Sequence, residues 1–350
     1  MAIESRTSGE IRIGLAGLGR FGKLHAATLS RLPGVRLVAV CDPVADEVAA
    51  VAARYEVAGQ FDDYDRMLAE TELDAVFVVT PEPLHAEMAL AAIGRRLAVF
   101  VEKPLGTTHA EGERVARAAE RAGVPLQVGL LLRFDVQHAL LQAEVTAGRF
   151  GQIVSARVKR NVSRAWFPAY GDRVHPVYET SIHDIDVLLW LVGSPCTHVY
   201  AIERNLSRLR YPDACFALLR FADGAVAMLE TSWFVPEGAP ANVLTPTWHG
   251  TIDAELELVG TERSARLRLL DTGLAIWGPE MTAHPETGLW PEVSGLVAGA
   301  LREEVTHFVE CVRRGTPSTV ASVGDAVSGL LIAEAIVTSA GTGREVALET

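Results

Sequence analysis

The segment "IRIGLAGLGRFGKLH" (residues 11–25) constrains the fold more than any other stretch of the chain. A short apolar run ends in Gly17, Gly19 and Gly22, a GxGxxG pattern, and helical spacing begins directly behind it. Glycines at these places allow a tight turn, a close backbone approach to a pyrophosphate and close packing of helix on strand, while the helix N-terminus favours an anion. The pattern needs a strand before it and a helix after it, and both are present. Arg20 and Phe21 lie inside the turn and are assigned to the same phosphate-binding end.

The rhythm set there repeats. The apolar runs "VRLVAVCDP", "DAVFVVTP", "LAVFVEKP" and "PLQVGLLLRF" are separated by helical patterns. Strands that read as continuous Val, Ile, Leu and Phe are covered on both faces, as in a parallel sheet. Residues 1–134 are therefore expected to form a doubly wound α/β domain of the Rossmann type. At 350 residues the chain is long for one core, since about 100–200 residues per domain is usual. After residue 134 the pattern changes to one helix, "VQHALLQAEVTAG", then long apolar segments, two of them joined at Asp223-Gly224, a strong hairpin signal. Residues 135–350 are expected to form an α+β domain with a largely antiparallel sheet.

Two places carry candidate chemistry. Asp42 closes the second strand 20 residues after Gly22. From there a carboxylate accepts hydrogen bonds from the adenosine ribose hydroxyls and repels a 2′-phosphate, so NAD is expected as cofactor and NADP is disfavoured. A helix-capping role beside Pro43 is the alternative. Ligands of doubly wound sheets lie outside the carboxyl ends of the strands. Thr80-Pro81 and Glu102-Lys103-Pro104 end the third and fourth apolar runs there, and with His85 they are assigned to the cofactor end. Lys103 is then either a group that the cofactor crevice uses or a solvated strand-end lysine paired with Glu102, because an unpaired ammonium in the interior is costly.

The second place is "YETSIHDIDVLLW", where Glu179, His183 and Asp186 are spaced by four and three. In a helix they share one face, and Asp184 points about 100° away. A carboxylate beside an imidazole orients it and stabilises its protonated form, as a general acid/base pair requires. Metal binding by the three and a purely structural polar face are the alternatives. No metal is expected, because hydride transfer needs none and no further ligands are evident.

Charge and composition narrow the partners. A net charge of -12 without a basic run speaks against nucleic acid and anionic membranes. Cys41, Cys196, Cys215 and Cys311 form no CxxC pair, as expected of free thiols in a reducing cytoplasm. The opening "MAIESRTSGE" lacks the apolar region of a secretory signal. No apolar run reaches about 18 residues, so no spanning helix is expected and the localisation is read as cytoplasmic.

Taken together, "GLAGLGRFGKLH", "VVTPEPLHAEMALAAIG", "VEKPLG", "SIHDIDVLLWLVG" and "SAGTGREVAL" resemble the glucose-fructose oxidoreductase/inositol dehydrogenase (Gfo/Idh/MocA) family, from Ile11 almost to the C-terminus. The resemblance implies a second domain whose open sheet makes oligomer contacts, hence a homodimer or homotetramer. It also implies oxidation or reduction of a sugar or cyclitol hydroxyl, with Lys103 and His183 in the site, and a cis Lys103-Pro104 peptide. Arg133-Phe134 looks like the family's Arg-aromatic pair after the last Rossmann strand. Asp186 matches the family, whereas Glu179 stands where an aspartate is common. The expected activity is an NAD-dependent dehydrogenase acting on a secondary hydroxyl of a sugar, sugar derivative or cyclitol, Lys103 accepting the hydroxyl proton with help from His183. A glycoside hydrolase or lyase that retains NAD and oxidises transiently to drive elimination is the alternative. A non-catalytic sensor is a third reading, against which Lys103 and His183 speak. Specificity is expected in the loops 163–176 and 236–250, where Trp166, Tyr170, His175, Trp248 and His249 either line a sugar site or form an interdomain or oligomer contact.

Overall fold

Continuous apolar runs do form parallel strands. The computed structural model describes residues 9–245, 248–270, 273–277 and 282–349. In its first sheet, β1 (Ile11–Ala16), β2 (Val35–Cys41), β3 (Gly59–Phe61), β4 (Ala75–Val78), β5 (Ala98–Val101) and β6 (Leu126–Val128) are all parallel and lie in the order β3-β2-β1-β4-β5-β6. This is a doubly wound order, with the reversal at β1 and β4. Every residue of β4 and β5 is buried. The helices α1 (Arg20–Leu29), α2 (Ala45–Tyr55), α3 (Tyr64–Glu70), α4 (His85–Gly94) and α5 (His109–Ala122) connect the strands. α5 starts at a reciprocal cap in which Thr108 and Glu111 each satisfy the other's backbone amide.

Two details depart from the sequence reading. β3 and α3 were not expected: three residues, "GQF", are too few to show a period, and α3 depends on the Asp63 side chain accepting from the Arg66 amide at 2.8 Å. The single cut at 134/135 also differs from the structure. One unit runs to Leu131 and takes back Glu292–Val327; the other comprises Leu132–Pro291 and the chain from Ser328 onward. The return is explained by the core. Phe77 and Phe100 stack at 4.7 Å, and Phe308 of the helix Ala300–Arg314 meets them edge-on at 5.3 and 5.7 Å. Arg313 reinforces the attachment by donating to the Pro33 carbonyl at 2.9 Å.

The second unit begins with α6 (Val136–Thr146) and β7 (Ile153–Ser163), followed by α7 (Ile182–Val192). Then come β8 (Cys196–Arg204), β9 (Ala214–Phe221), β10 (Val226–Val235), the small hairpin of β11 (Val243–Thr245) and β12 (Trp248–Gly250), β13 (Ile252–Gly260) and β14 (Ser264–Arg268). Its seven-stranded sheet has the order β14-β13-β7-β10-β9-β8, closed by Val346–Ala347. All neighbours are antiparallel apart from β7 and β10, which are parallel. The predicted hairpin is the β9–β10 turn, where Gly224 has φ +94° and Asp223 accepts from the Ala225 amide at 3.1 Å.

Alternation along these strands gives the sheet two faces. Val158, Val199, Leu219, Leu229 and Leu258 are buried, whereas Tyr200, Leu218 and Met228 stand at paired positions of β8, β9 and β10 and are 42%, 56% and 40% exposed. On the same outer side Lys159 bridges Asp253 at 3.0 Å and Glu255 at 3.3 Å. The helix Val323–Thr342 is long and apolar enough to cross a membrane by length and composition, which the run-length reading did not anticipate because Asp325 and Glu334 interrupt it. In the fold its Leu330, Ala333 and Ile336 are fully buried. Residues 1–8, most of the stretch read against a secretory signal, lie outside the described residues.

Candidate functional site

The glycine turn follows from steric necessity at two positions and openness at the third. Gly17 has φ +92°, and a Cβ there would lie 2.2 Å from the Val79 carbonyl oxygen; one at Gly22 would lie 2.0 Å from the Gly17 carbonyl oxygen. Gly19 has nothing within 4 Å of the Cβ position, and α1 starts directly after it with no side chain capping its N-terminus. First-turn amides beside an open glycine make a cradle for an anion. Arg20 is exposed and Phe21 half-buried in that first turn.

Asp42 borders the cradle. Its Oδ2 accepts from the Leu18 amide at 2.7 Å and its Oδ1 from the Val44 amide at 2.9 Å. The capping alternative is not realised, because α2 begins at Ala45 with Val44 as its cap residue. Each carboxylate oxygen retains a lone pair for a hydroxyl donor.

The ends of β4 and β5 are joined by a buried histidine. His85 Nε2 lies 2.7 Å from the Thr80 carbonyl and Nδ1 2.6 Å from the Pro104 carbonyl. Burial lowers its pKa, against the two carbonyls and the Glu82 and Glu102 carboxylates, which raise it. With both nitrogens taken up by backbone, His85 serves the site by holding Thr80-Pro81 to the Glu102-Lys103-Pro104 turn. The Lys103-Pro104 peptide is cis. Glu102 is not a solvated strand-end residue: it is 8% exposed, its Oε1 lies 2.8 Å from His25 Nε2, and its Oε2 accepts from the Lys103 amide at 3.2 Å. Lys103 itself is half-buried. His25, three residues after Gly22, had no place in the sequence reading, since its partner is 77 residues away.

In the second unit the chain enters α7 through one turn of π-helix, Val177–Ser181. Such turns are rare and frequent at functional sites. The four-and-three spacing therefore does not carry over intact, because the wider turn lies between Glu179 and His183. Both are half-buried, while Asp184 and Asp186 are buried. Asp186 is held by Arg133, whose Nε and Nη2 donate at 2.9 and 2.7 Å and whose guanidinium lies 5.3 Å above the Trp190 ring. Asp184 is held by Arg160 at 2.8 and 2.9 Å. The two carboxylates of His-Asp-Ile-Asp thus fix α7 from within.

The predicted loop residues divide in the same way. His175 accepts from the Val177 amide at Nδ1 (3.2 Å), so Nε2 carries the proton and donates to Glu203 at 2.8 Å. It is an internal anchor of the π turn and not a sugar-lining residue. Trp166 donates to the His249 carbonyl at 3.0 Å. Tyr170 stacks on Trp233 at 5.0 Å, with Arg173 4.6 Å above its ring. Residues 246 and 247 and the Trp248 side chain lie outside the described structure. Among the described residues no group of three His, Cys, Asp or Glu side chains is arranged to hold a metal ion.

Residues 11–130 match the oxidoreductase family with an NAD-binding Rossmann fold, and residues 138–266 match the Gfo/Idh/MocA C-terminal domain. The chain is 29% identical to the scyllo-inositol 2-dehydrogenase (NAD(+)) of Bacillus subtilis over 97% of both chains. It is 30% identical to inositol 2-dehydrogenase 2 of Mycolicibacterium vanbaalenii over 96% of this chain and 95% of that one. Among solved structures, myo-inositol 2-dehydrogenase from Lactobacillus plantarum superposes with a TM-score of 0.84 at 24% identity, covering 97% of this chain and 100% of that one, a likeness of fold.

The two buried ion pairs generate a stability prediction. Asp184→Asn and Asp186→Asn should each cost about 3–5 kcal/mol, because an arginine is left in the interior without its counter-charge. Glu179→Gln, at a half-buried position, should stay within about 0.5 kcal/mol of the parent. Urea unfolding of the three variants checks this; a stable Asp186→Asn protein would refute the structural role of the Arg133 pair.

Proposed function

The chain belongs to the Gfo/Idh/MocA oxidoreductase family, and from that premise we propose that it is an NAD-dependent dehydrogenase oxidising a secondary hydroxyl of a cyclitol of the inositol type. The observation that carries the reading is the Glu102-Lys103-Pro104 turn, hydrogen-bonded and buried apart from the half-buried Lys103, at the carboxyl edge of the same sheet that presents the glycine turn and Asp42. Full-length relatives named as NAD(+)-dependent and inositol dehydrogenases support the choice of cofactor and substrate class.

The residues present fit a dinucleotide. The open face at Gly19 and the uncapped α1 amides suit a pyrophosphate, and Asp42 suits ribose hydroxyls while repelling a 2′-phosphate. NAD, when bound, supplies the acceptor for the hydride leaving the carbinol carbon. Lys103 takes the hydroxyl proton as the carbonyl forms. Glu179 in the π turn and His183 at the start of α7, both half-buried, hold substrate hydroxyls. The long side chain of Glu179 keeps its carboxylate in that role from a π-helical backbone. Asp186 and Arg133 orient α7 from inside.

The direct test is a spectrophotometric screen of myo-inositol, scyllo-inositol, glucose and aryl glycosides with NAD and with NADP. Reduced cofactor should accumulate with an inositol and NAD, and the NADP rate should be at least about tenfold lower, the loss of one charged hydrogen bond. Lys103→Met should lower kcat by about 10²–10⁴-fold with NAD affinity retained. Glycoside cleavage without reduced cofactor, or an unimpaired Lys103→Met enzyme, would overturn the reading.

We further propose that the exposed apolar strip of the second sheet joins two copies of the chain, as a homodimer or homotetramer. Tyr200, Ile202, Leu218 and Met228 form it, with Ile202 54% exposed. Replacing Ile202 and Leu218 together by glutamate should give a folded monomer of 37.7 kDa in light scattering. An oligomer unaffected by the double change would exclude this face.

A further inference from the structure

His25 is fully buried on α1, and its ring is enclosed by Phe21, Phe77 and Phe100 at centroid distances of 6.2, 5.6 and 5.3 Å. A polar ring in such a cage is costly without a partner. Its Nε2 finds one in Glu102 Oε1 at 2.8 Å, whereas Nδ1 has no hydrogen-bond partner among the described residues. That asymmetry fixes the tautomer: Nε2 carries the proton and donates, and Nδ1 turns its lone pair to the aromatic cage.

The carboxylate so held has little freedom. Its second oxygen accepts from the Lys103 amide at 3.2 Å, and Gly129 backs it so closely that a Cβ there would lie 3.0 Å from Oε2 and 3.1 Å from the carboxylate carbon. On the far side of the turn, His85 holds the Pro104 carbonyl. We infer that His25 is a positioning residue for Lys103: through Glu102 it fixes the direction in which the backbone presents the proton-accepting side chain. α1, which carries the glycine turn, thereby also aims the chemistry. The inference rests on the reading of Lys103 as proton acceptor. Removing the His25 donor leaves Glu102 Oε1 seeking another, and the segment able to supply or follow it is the turn containing Lys103. A displacement of about 1 Å at a reacting group costs on the order of 10²-fold in rate.

The test compares H25F, H25Q, H25N, E102Q and H25F/E102Q with the parent enzyme and with K103M. Single-turnover formation of reduced cofactor from myo-inositol and NAD is measured across pH, together with NAD affinity by fluorescence and folded fraction by circular dichroism. H25F should slow the chemical step by about 10²-fold per folded molecule, and the pH profile should shift. Affinity for NAD should change by less than about threefold, the signature of a loss confined to the reacting state. The double variant should be no slower than H25F, because both changes break one bond. H25Q keeps an N–H donor long enough to reach Glu102 and should recover most of the rate; H25N is too short and should not. If H25F fails to fold, the H25Q and H25N pair decides alone. Wild-type rates per folded molecule in H25F or H25N, with an unmoved pH profile, would make His25 merely structural and overturn the inference. K103M separates the premises: a fast K103M enzyme removes the reading of Lys103, whereas a slow K103M beside fast His25 variants removes the positioning role alone.

Discussion

The carboxylate of Glu102 is the group on which the first unit's site depends. It ends a strand whose every residue is buried, and a charge at that place must be satisfied by the protein or it opens the sheet to water. His25 and the Lys103 amide satisfy it; His85 lies within hydrogen-bond distance of the Thr80 and Pro104 carbonyls, and Asp42 accepts from the Leu18 amide. The carboxyl edge of the sheet is thus joined by polar contacts from α1, from α4 and from the residue after β2. Buried polar contacts of this kind hold a turn in one geometry.

The second unit reaches the same end with ion pairs. Arg160 with Asp184 and Arg133 with Asp186 place two carboxylates of α7 against buried guanidinium groups, and each pair has two hydrogen bonds or more. Removing one partner from such a pair is expensive, so the helix has one rotation. That rotation, with the π turn anchored by His175 and Glu203, leaves Glu179 and His183 half-buried.

What the sequence made legible was local. The backbone of the glycine turn was readable because consecutive residues determine it, and that of the β9–β10 hairpin because Asp223-Gly224 does the same. The pairs His25 with Glu102, His175 with Glu203, Arg160 with Asp184 and Arg133 with Asp186 were not, because each joins residues 24 to 77 positions apart. The π turn escaped because apolar spacing assumes a constant helical period. The return of residues 292–327 escaped for a different reason. An amphipathic pattern shows that the helix Ala300–Arg314 has a buried face, and only packing on Phe77 and Phe100 shows which core receives it.

The central claim is that this scaffold moves a hydride from a cyclitol carbon to NAD while Lys103 takes the proton. Its most direct test is the fate of a label. With myo-inositol deuterated at the carbon that is oxidised, the account predicts one deuterium in each reduced cofactor by mass spectrometry, a slower step for the labelled substrate, and the same destination at a much lower rate in Lys103→Met. Deuterium appearing in water, or a glycoside cleaved while the cofactor returns unlabelled to its oxidised form, would contradict it.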